Sequence, residues 1–189
     1  NNLALCLEYS EIDSTGGGVV IGVDNDPLSI QHACDNFNLI QNLKNNFNFV
    51  VDDMRLFAKN KENIQADVFV LASAAYYISR EDLSSLFVNM VANNNIKGNI
   101  PFYIRVRSKK DFRYGYGKKI GPSRFKMPED GVTGENGAKI EFYSENEIVN
   151  ILKDKLNLRD YDVMTLEAQN KQNGVIIFNS DIIVWGWIN

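Results

Sequence analysis

The sequence predicts an α/β fold with a doubly wound, mostly parallel sheet and an antiparallel pair of strands at its C-terminal end. Three observations lead there. Val19–Phe37, VVIGVDNDPLSIQHACDNF, carries a β-branched apolar run through an acidic residue into an amphipathic helix. Strand-like and helix-like segments alternate after it, which puts helices between parallel strands. The last thirty residues are strand-rich and broken by turn signals, as a closing antiparallel unit would be.

The elements follow in order. Asn2–Ile12 reads as a helix with Leu3, Cys6, Leu7 and Ile12 on one face, and Gly16–Gly18 as a turn. Val19–Val23 is the first strand. Asp26 then offers an N-cap and Pro27 suits the first helical position, so a helix runs to about Gln41, its apolar stripe made by Ile30, Ala33, Cys34, Phe37 and Ile40. Phe47–Val51 is a strand, followed by Asp52, Asp53 and a short segment, Met54–Lys59. Ala66–Ala72 is the next strand. Ser79 with Asp82 starts a helix bearing Leu83, Leu86, Phe87, Met90 and Val91. Ile100–Val106 is a strand, and Ser144 with Glu147 forms a capping box for the helix that holds Ile148, Ile151, Leu152 and Leu156. Val163–Leu166, Val175–Phe178 and Ile182–Ile188 are strands, separated by Asn-Gly and Asn-Ser-Asp turns.

Bulk properties narrow the function. At 189 residues and 44% hydrophobic, the chain has the size and composition of one soluble domain. No run is apolar and long enough to span a membrane. Cys6 and Cys34 lie in helical patterns without metal-type spacing and read as buried thiols of a reducing, cytoplasmic setting. A net charge of −4 gives no general attraction for nucleic acid. His32, the only histidine, reads as a solvated or packed residue, so triad and zinc chemistry lack their usual side chains.

Asp24, with Asn25 beside it, ends the first strand where a carboxylate of a doubly wound protein accepts both ribose hydroxyls. It reads equally as a loop carboxylate that merely ends a strand. The ordered set of elements resembles the class I S-adenosylmethionine-dependent methyltransferases, with a Rossmann-like sheet, over nearly the whole chain. The resemblance implies S-adenosylmethionine as cofactor. It gives Asp24 the ribose, and gives the adenine amino group to Asp53, followed by Met54, in VVDDMRLF, with Asp52 the less favoured choice. The strand ADVFVLAS would bring Ala72, Ser73 and Ala74 to the methyl-transfer site, and the helix after SENEI and the terminal DIIVWGWI match the closing elements. The family's first strand and glycine-rich loop are not found. Gly16–Gly18 precedes a strand, whereas a cofactor loop follows one. The expectation is that residues upstream of Asn1 carry them.

A second constellation concerns the substrate. Between Arg105 and Lys126 nine lysines and arginines face one acid, Asp111. Arg105 and Arg107, two apart on a strand, share a face near its carboxyl end, where open α/β sheets bind ligands. Guanidinium groups suit carboxylate or phosphate. Arg105, Arg107, Arg113 and Tyr114 are therefore the substrate-binding candidates, and the glycine-rich stretch to about residue 140 reads as a lid. Tyr76 and Tyr77 are candidates to orient an acceptor as catalytic residues. The Asn/Asp-Pro-Pro-aromatic motif of base amino-group methylation is absent at Ser73–Tyr77, as is the Pro-Cys pair of cytosine-carbon methylation. The favoured function is methyl transfer to a small anionic acceptor. The alternatives are an RNA methyltransferase with a basic, aromatic loop, and a non-catalytic nucleotide-binding or scaffold protein on the same fold.

Overall fold

The computed structural model describes residues 20–39, 47–60, 65–96 and 98–189. The expected helix Asn2–Ile12, the turn Gly16–Gly18, Cys6, Val19, Ile40 and Gln41 lie outside the described residues. The chain divides into two compact units, Asn1–Lys61 and Glu62–Asn189.

In the first unit, strand β1 (Val20–Asp24) pairs in parallel with β2 (Phe47–Val51), Asp24 standing level with Val51. Helix α1 (Pro27–Asn38) joins them and α2 (Met54–Asn60) follows. Asp26 caps α1 by accepting the Leu28 and Ser29 N–H groups, and Pro27 occupies the first turn, where no donor is needed. The Ser29 hydroxyl adds a third bond, which with the backbone donors holds the Asp26 carboxyl below its usual range. Ala33 and Phe37 are the buried residues of α1, His32 is exposed, and Cys34 is a half-buried free thiol. The Phe37 ring packs on Phe47 and Phe49, with centroids 4.0 and 5.1 Å away, and Phe49 lies over Gly22, where a Cβ would come within 2.7 Å of its ring.

The second unit holds a seven-stranded mixed sheet: β3 (Phe69–Ala72), β4 (Ile100–Ser108), β5 (Lys118–Lys119), β6 (Arg124–Lys126), β7 (Lys139–Tyr143), β8 (Arg159–Gln172) and β9 (Val175–Ile188). The order is β5-β6-β7-β4-β9-β8, with β3 pairing β4 beside β7. Only β3–β4 and β4–β7 are parallel; β4–β9, β5–β6, β6–β7 and β8–β9 are antiparallel. The α/β class is as the sequence predicts, but this sheet is mixed rather than mostly parallel. The difference comes from Lys118–Tyr143, read as a glycine-rich loop, which forms a three-stranded antiparallel extension.

Helices α3 (Arg80–Ala92) and α4 (Glu145–Leu156) start at the serines the sequence picks out. They bury Leu83, Leu86, Phe87, Ile148 and Leu152, while β4 buries Ile100, Phe102, Ile104 and Val106 at alternate positions. Phe87 meets Phe102 edge-on at 6.2 Å. Full burial of such side chains stabilises by roughly 1.5–3 kcal/mol each, so this layer is the core of the unit.

The C-terminal segment is one long hairpin rather than three strands. Asn173–Gly174 is its turn, but Asn179-Ser180-Asp181, read as a second turn, continues β9. Those three residues remain extended because groups outside the hairpin hold them: Arg113 donates to Asn179 at 3.0 Å, the Ser180 N–H donates to Asp111 at 2.9 Å and Asp181 is bound by two arginines. Near the hairpin's other end the register shifts between Arg159 and Asp162, opposite Gly186. A Cβ on Gly186 would lie 2.8 Å from the Tyr161 Cα, so glycine is what lets the bulge close.

Glu147 couples α4 to the rest of this unit. It completes the capping box with Ser144 and accepts from Lys109 Nζ at 2.8 Å and Arg80 at 3.1 Å. Partial burial alone would raise its pKa, but the Lys109, Ser144 and Arg80 donors outweigh it and bring the carboxyl down to about 2. A folded-state pKa below the unfolded one means stability that is present at neutral pH and lost as the pH falls toward 2. Glu147→Gln should lower stability by about 1 kcal/mol at pH 7. Urea midpoints across the acid range should fall less steeply for that variant than for the unaltered chain.

Candidate functional site

The first unit gathers carboxylates at one end of its parallel strand pair. Because Asp24 is level with Val51, Asp52 and Asp53 lie just beyond the same edge, and the Asp52 N–H donates to the Asp24 carbonyl at 3.0 Å. Asp24 Oδ1 accepts the Asp26 N–H at 2.9 Å, which orients the carboxylate and leaves Oδ2 without a partner among the described residues. Asn25 is exposed beside it. Asp52 likewise spends only Oδ1, on the Asp53 N–H at 2.8 Å. Asp53 is fully engaged by Arg55, whose backbone N–H and Nε donate at 2.8 and 2.9 Å and whose Nη2 closes an ion pair. The Arg55 hydrogen bonds hold the Asp53 carboxyl below its usual range, against its partial burial. Met54 begins α2 directly after it. Among the described residues no group of three or more His, Cys, Asp or Glu has the arrangement of a metal site.

The second unit assembles the other candidates at the carboxyl ends of β3 and β4. β3 ends at Ala72, and Ser73 takes a left-handed backbone with φ of 57°. A non-glycine residue there is strained, and the turn delivers Ala74 and a single 3-10 turn, Ala75–Tyr77. Tyr76 is buried and its hydroxyl accepts from Arg107 Nη2 at 3.3 Å. Tyr77 is 43% exposed and donates to Glu135 Oε1 at 3.4 Å. Burial, with Tyr76 and Glu135 beside it, pushes the Tyr77 pKa far up, so this phenol is a hydrogen-bond donor and not a base.

Arg105 and Arg107 do share a face, and both meet Asp181 on β9. Arg105 donates to Asp181 Oδ2 through Nε at 2.9 Å and through Nη2, and Arg107 Nη1 donates to Oδ1 at 2.9 Å. Arg107 also lies 3.7 Å from Asp111 and 3.6 Å from Glu135, with its guanidinium 4.7 Å over the Tyr76 ring. Arg113 is gripped by Asp111 at 2.9 Å, by Glu135 and by Asn179 at 3.0 Å. The sequence leads one to expect these arginines as open anion receptors. They stand instead in a network of three guanidiniums and three carboxylates, in which Arg107, Arg113, Asp111 and Asp181 are buried and could not be desolvated unpaired. Tyr114 packs edge-on against Phe125 and Phe142 at 5.3 and 5.5 Å.

Sequence reasoning missed Asp181, Glu135 and Asn179, which lie far from the arginines along the chain. Asp111 was visible as the one acid in a basic run. Lys109, Lys110 and Lys126 are also paired, with Glu147, Glu167 and Glu129. Lys118 and Lys119 are exposed and make no ion pair among the described residues.

The chain has the fold of the class I S-adenosylmethionine-dependent methyltransferases. A methyltransferase of that kind from Archaeoglobus fulgidus matches 98% of this chain and 81% of its own, at 14% identity and a TM-score of 0.55. The N-terminal domain of EvdMO1, solved with S-adenosylhomocysteine bound, matches 96% of this chain and 70% of its own, at 14% identity and 0.58. The N-methyltransferase NodS from Bradyrhizobium japonicum, also bound to S-adenosylhomocysteine, matches 90% of this chain, at 14% identity and 0.50. This chain spans just under two thirds of NodS, 66% of its length. No family model and no curated protein matches the sequence.

Asp181 is the residue on which the second unit's network turns. Asp181→Ala takes from Arg107, which is 9% exposed, its closest carboxylate and leaves it Asp111 and Glu135 at 3.7 and 3.6 Å, and should destabilise the chain by roughly 1.5–3 kcal/mol in chemical denaturation. Asp181→Asn, which keeps the shape and one acceptor, should recover part of that loss.

Proposed function

We propose that this chain is an S-adenosylmethionine-dependent methyltransferase acting on a small anionic acceptor. The observation that carries the reading is the edge of the β1–β2 pair, where Asp24 and Asp52 each keep a carboxylate oxygen without a partner among the described residues. Two such acceptors beside parallel strand ends suit the ribose hydroxyls and adenine amino group of a nucleoside. The fold shared with solved methyltransferases, two of them holding S-adenosylhomocysteine, supports it. Asp24 takes the ribose. Asp52 is the better partner for the adenine amino group, because Arg55 already occupies the Asp53 carboxylate and makes it the cap of α2. Asn25, Met54, Ala72 and Ser73 remain assigned to the cofactor on the resemblance.

The cofactor supplies a methyl group on a sulfonium. The chain's residues orient the acceptor and exclude water. Tyr77, whose hydroxyl donates to Glu135, is assigned to donate to the acceptor, and buried Tyr76 holds Arg107 in place. Arg105, Arg107, Arg113 and Tyr114, all in the second unit, remain the acceptor-binding candidates. A small acceptor is favoured over RNA because Arg105, Arg107, Lys109, Lys110, Arg113 and Lys126 are all paired within the chain. Exposed Lys118 and Lys119 are left unpaired among the described residues, a small cationic surface for tracking a phosphate backbone.

Calorimetric titration with S-adenosylhomocysteine tests the reading. The chain should bind it and should not bind reduced nicotinamide dinucleotide. Asp24→Ala and Asp52→Ala should each weaken binding about tenfold or more with an unchanged far-ultraviolet spectrum. Asp53→Ala should cost helix stability instead. Equal binding by all four proteins would overturn the assignment.

A further inference from the structure

We propose that Glu135 is a built-in stand-in for the acceptor's carboxylate, and that a carboxylate-bearing ligand binds by displacing it from Arg113, Arg107 and Tyr77. The inference rests on the anionic-acceptor reading and deepens it.

The three carboxylates of the network are not alike. Asp111 and Asp181 are held where nothing can replace them, their side chains 0% and 3% exposed. Asp111 also accepts the backbone N–H groups of Arg113 and Ser180. Glu135 accepts no backbone N–H among the described residues, and its side chain is 16% exposed. It sits in the connection between β6 and β7. That connection is closed at its neck by Met127 N–H to Ala138 O at 2.8 Å and by Gly137 N–H to Pro128 O at 3.3 Å. Gly137, at the neck, and Gly134, beyond it, take φ of 68° and 72°, and within the tip the Gly134 N–H donates to the Gly131 carbonyl at 3.3 Å. Asn173 donates to the Val132 carbonyl at 2.8 Å and Lys126 pairs with Glu129 at 3.0 Å near the neck, while Glu135 ties the far part of the tip to the arginines.

The donors that converge on Glu135 describe a carboxylate receptor. Arg113 Nε and the Thr133 hydroxyl, at 2.8 Å, donate to Oε2. The Tyr77 hydroxyl and Arg107 Nη2, at 3.4 and 3.6 Å, face Oε1. Each oxygen thus has its own pair of donors, one of them a guanidinium, a geometry made for a planar two-oxygen anion. Arg107 Nε is buried with no hydrogen-bond partner, a donor the network leaves over. When Glu135 swings out on its glycine-flanked tip, three guanidiniums face two carboxylates. The excess positive charge and the orphaned donors are what an incoming carboxylate satisfies. Thr133 travels with the tip, so Arg113, Arg107 and Tyr77 are the receptor that stays.

The test uses acetate as the probe, with sodium chloride at matched ionic strength as the control. Glu135→Ala should melt lower than the unaltered chain in chloride. Acetate, and not chloride, should restore most of that loss and bind the variant about tenfold or more tightly than it binds the unaltered chain. Adding Arg113→Met to Glu135→Ala should abolish the restoration. If Glu135→Ala does not fold in chloride, Glu135→Gln is titrated instead, since it keeps the side chain's shape and loses its charge. Acetate and chloride acting alike on the variant would overturn the proposal and leave Glu135 a structural ion-pair partner. S-adenosylhomocysteine is titrated into the same variant. Binding of that ligand without an acetate effect overturns the stand-in alone. An acetate effect without it overturns the methyltransferase reading alone.

Discussion

The second unit depends on the requirement that Asp111 and Asp181 be paired. Both are almost fully buried, and an unpaired carboxylate there would cost several kcal/mol. Asp181 is met directly across the strand pair by Arg107 and diagonally by Arg105, so the β4–β9 register and the ion pairs specify each other. Asp111 reaches back to the Ser180 N–H and forward to Arg113. That bond removes the need for Asn179-Ser180-Asp181 to turn, so β9 runs on unbroken and the hairpin extends past the edge of β4. The chain after β4 is then pinned to the hairpin through the Phe112 N–H and the Phe178 carbonyl, 3.0 Å apart. Remove the two carboxylates and the register, the long hairpin and the arginine positions lose their common cause.

This constraint also separates what the sequence shows from what it hides. Local signals were legible. Asp26-Pro27, Ser79 and the Ser144–Glu147 box start helices where they are found, and Asn173-Gly174 makes its turn. So were the short apolar strands β1, β2 and β3, whose runs carry no charged residue before their ends. The errors lie where partners are distant in the chain. Asn-Ser-Asp has a turn's composition, and only Asp111 and three arginines, brought in from far off, make it a strand. Lys118–Tyr143 is rich in glycine and lysine, so the antiparallel ladder of KIEFY with Arg124–Lys126 was masked by its surroundings. Arg105 and Arg107 were correctly placed near a strand's carboxyl end, but the carboxylate they share, Asp181, lies more than 70 positions away and carries no local trace.

The two units solve the problem of holding polar groups ready in opposite ways. At the β1–β2 edge, each carboxylate spends one oxygen on a nearby backbone N–H. That fixes its direction while the other oxygen stays open among the described residues. Such a group needs little reorganisation to accept a hydroxyl or amino donor, and water can hydrate it meanwhile. In the second unit the groups are too buried for water to serve, so the chain supplies the counter-charges itself.

That difference governs how a ligand can enter. A buried guanidinium cannot wait empty, because its desolvation would destabilise the folded state, so a receptor built from Arg107 and Arg113 must be filled at all times. Under the proposed displacement of Glu135, binding becomes an exchange of one carboxylate for another. The Coulombic gain nearly cancels, and the affinity is set by what the 128–137 tip loses in order when it lets go. Such a site binds weakly yet selects strongly. A neutral competitor would leave the cluster with unbalanced positive charge, whereas a carboxylate returns it to three against three. The same logic places the exchangeable carboxylate on the loop and the permanent ones on or beside the sheet. Loop release costs little, whereas withdrawing Asp181 would undo the β4–β9 pairing that positions both strand arginines.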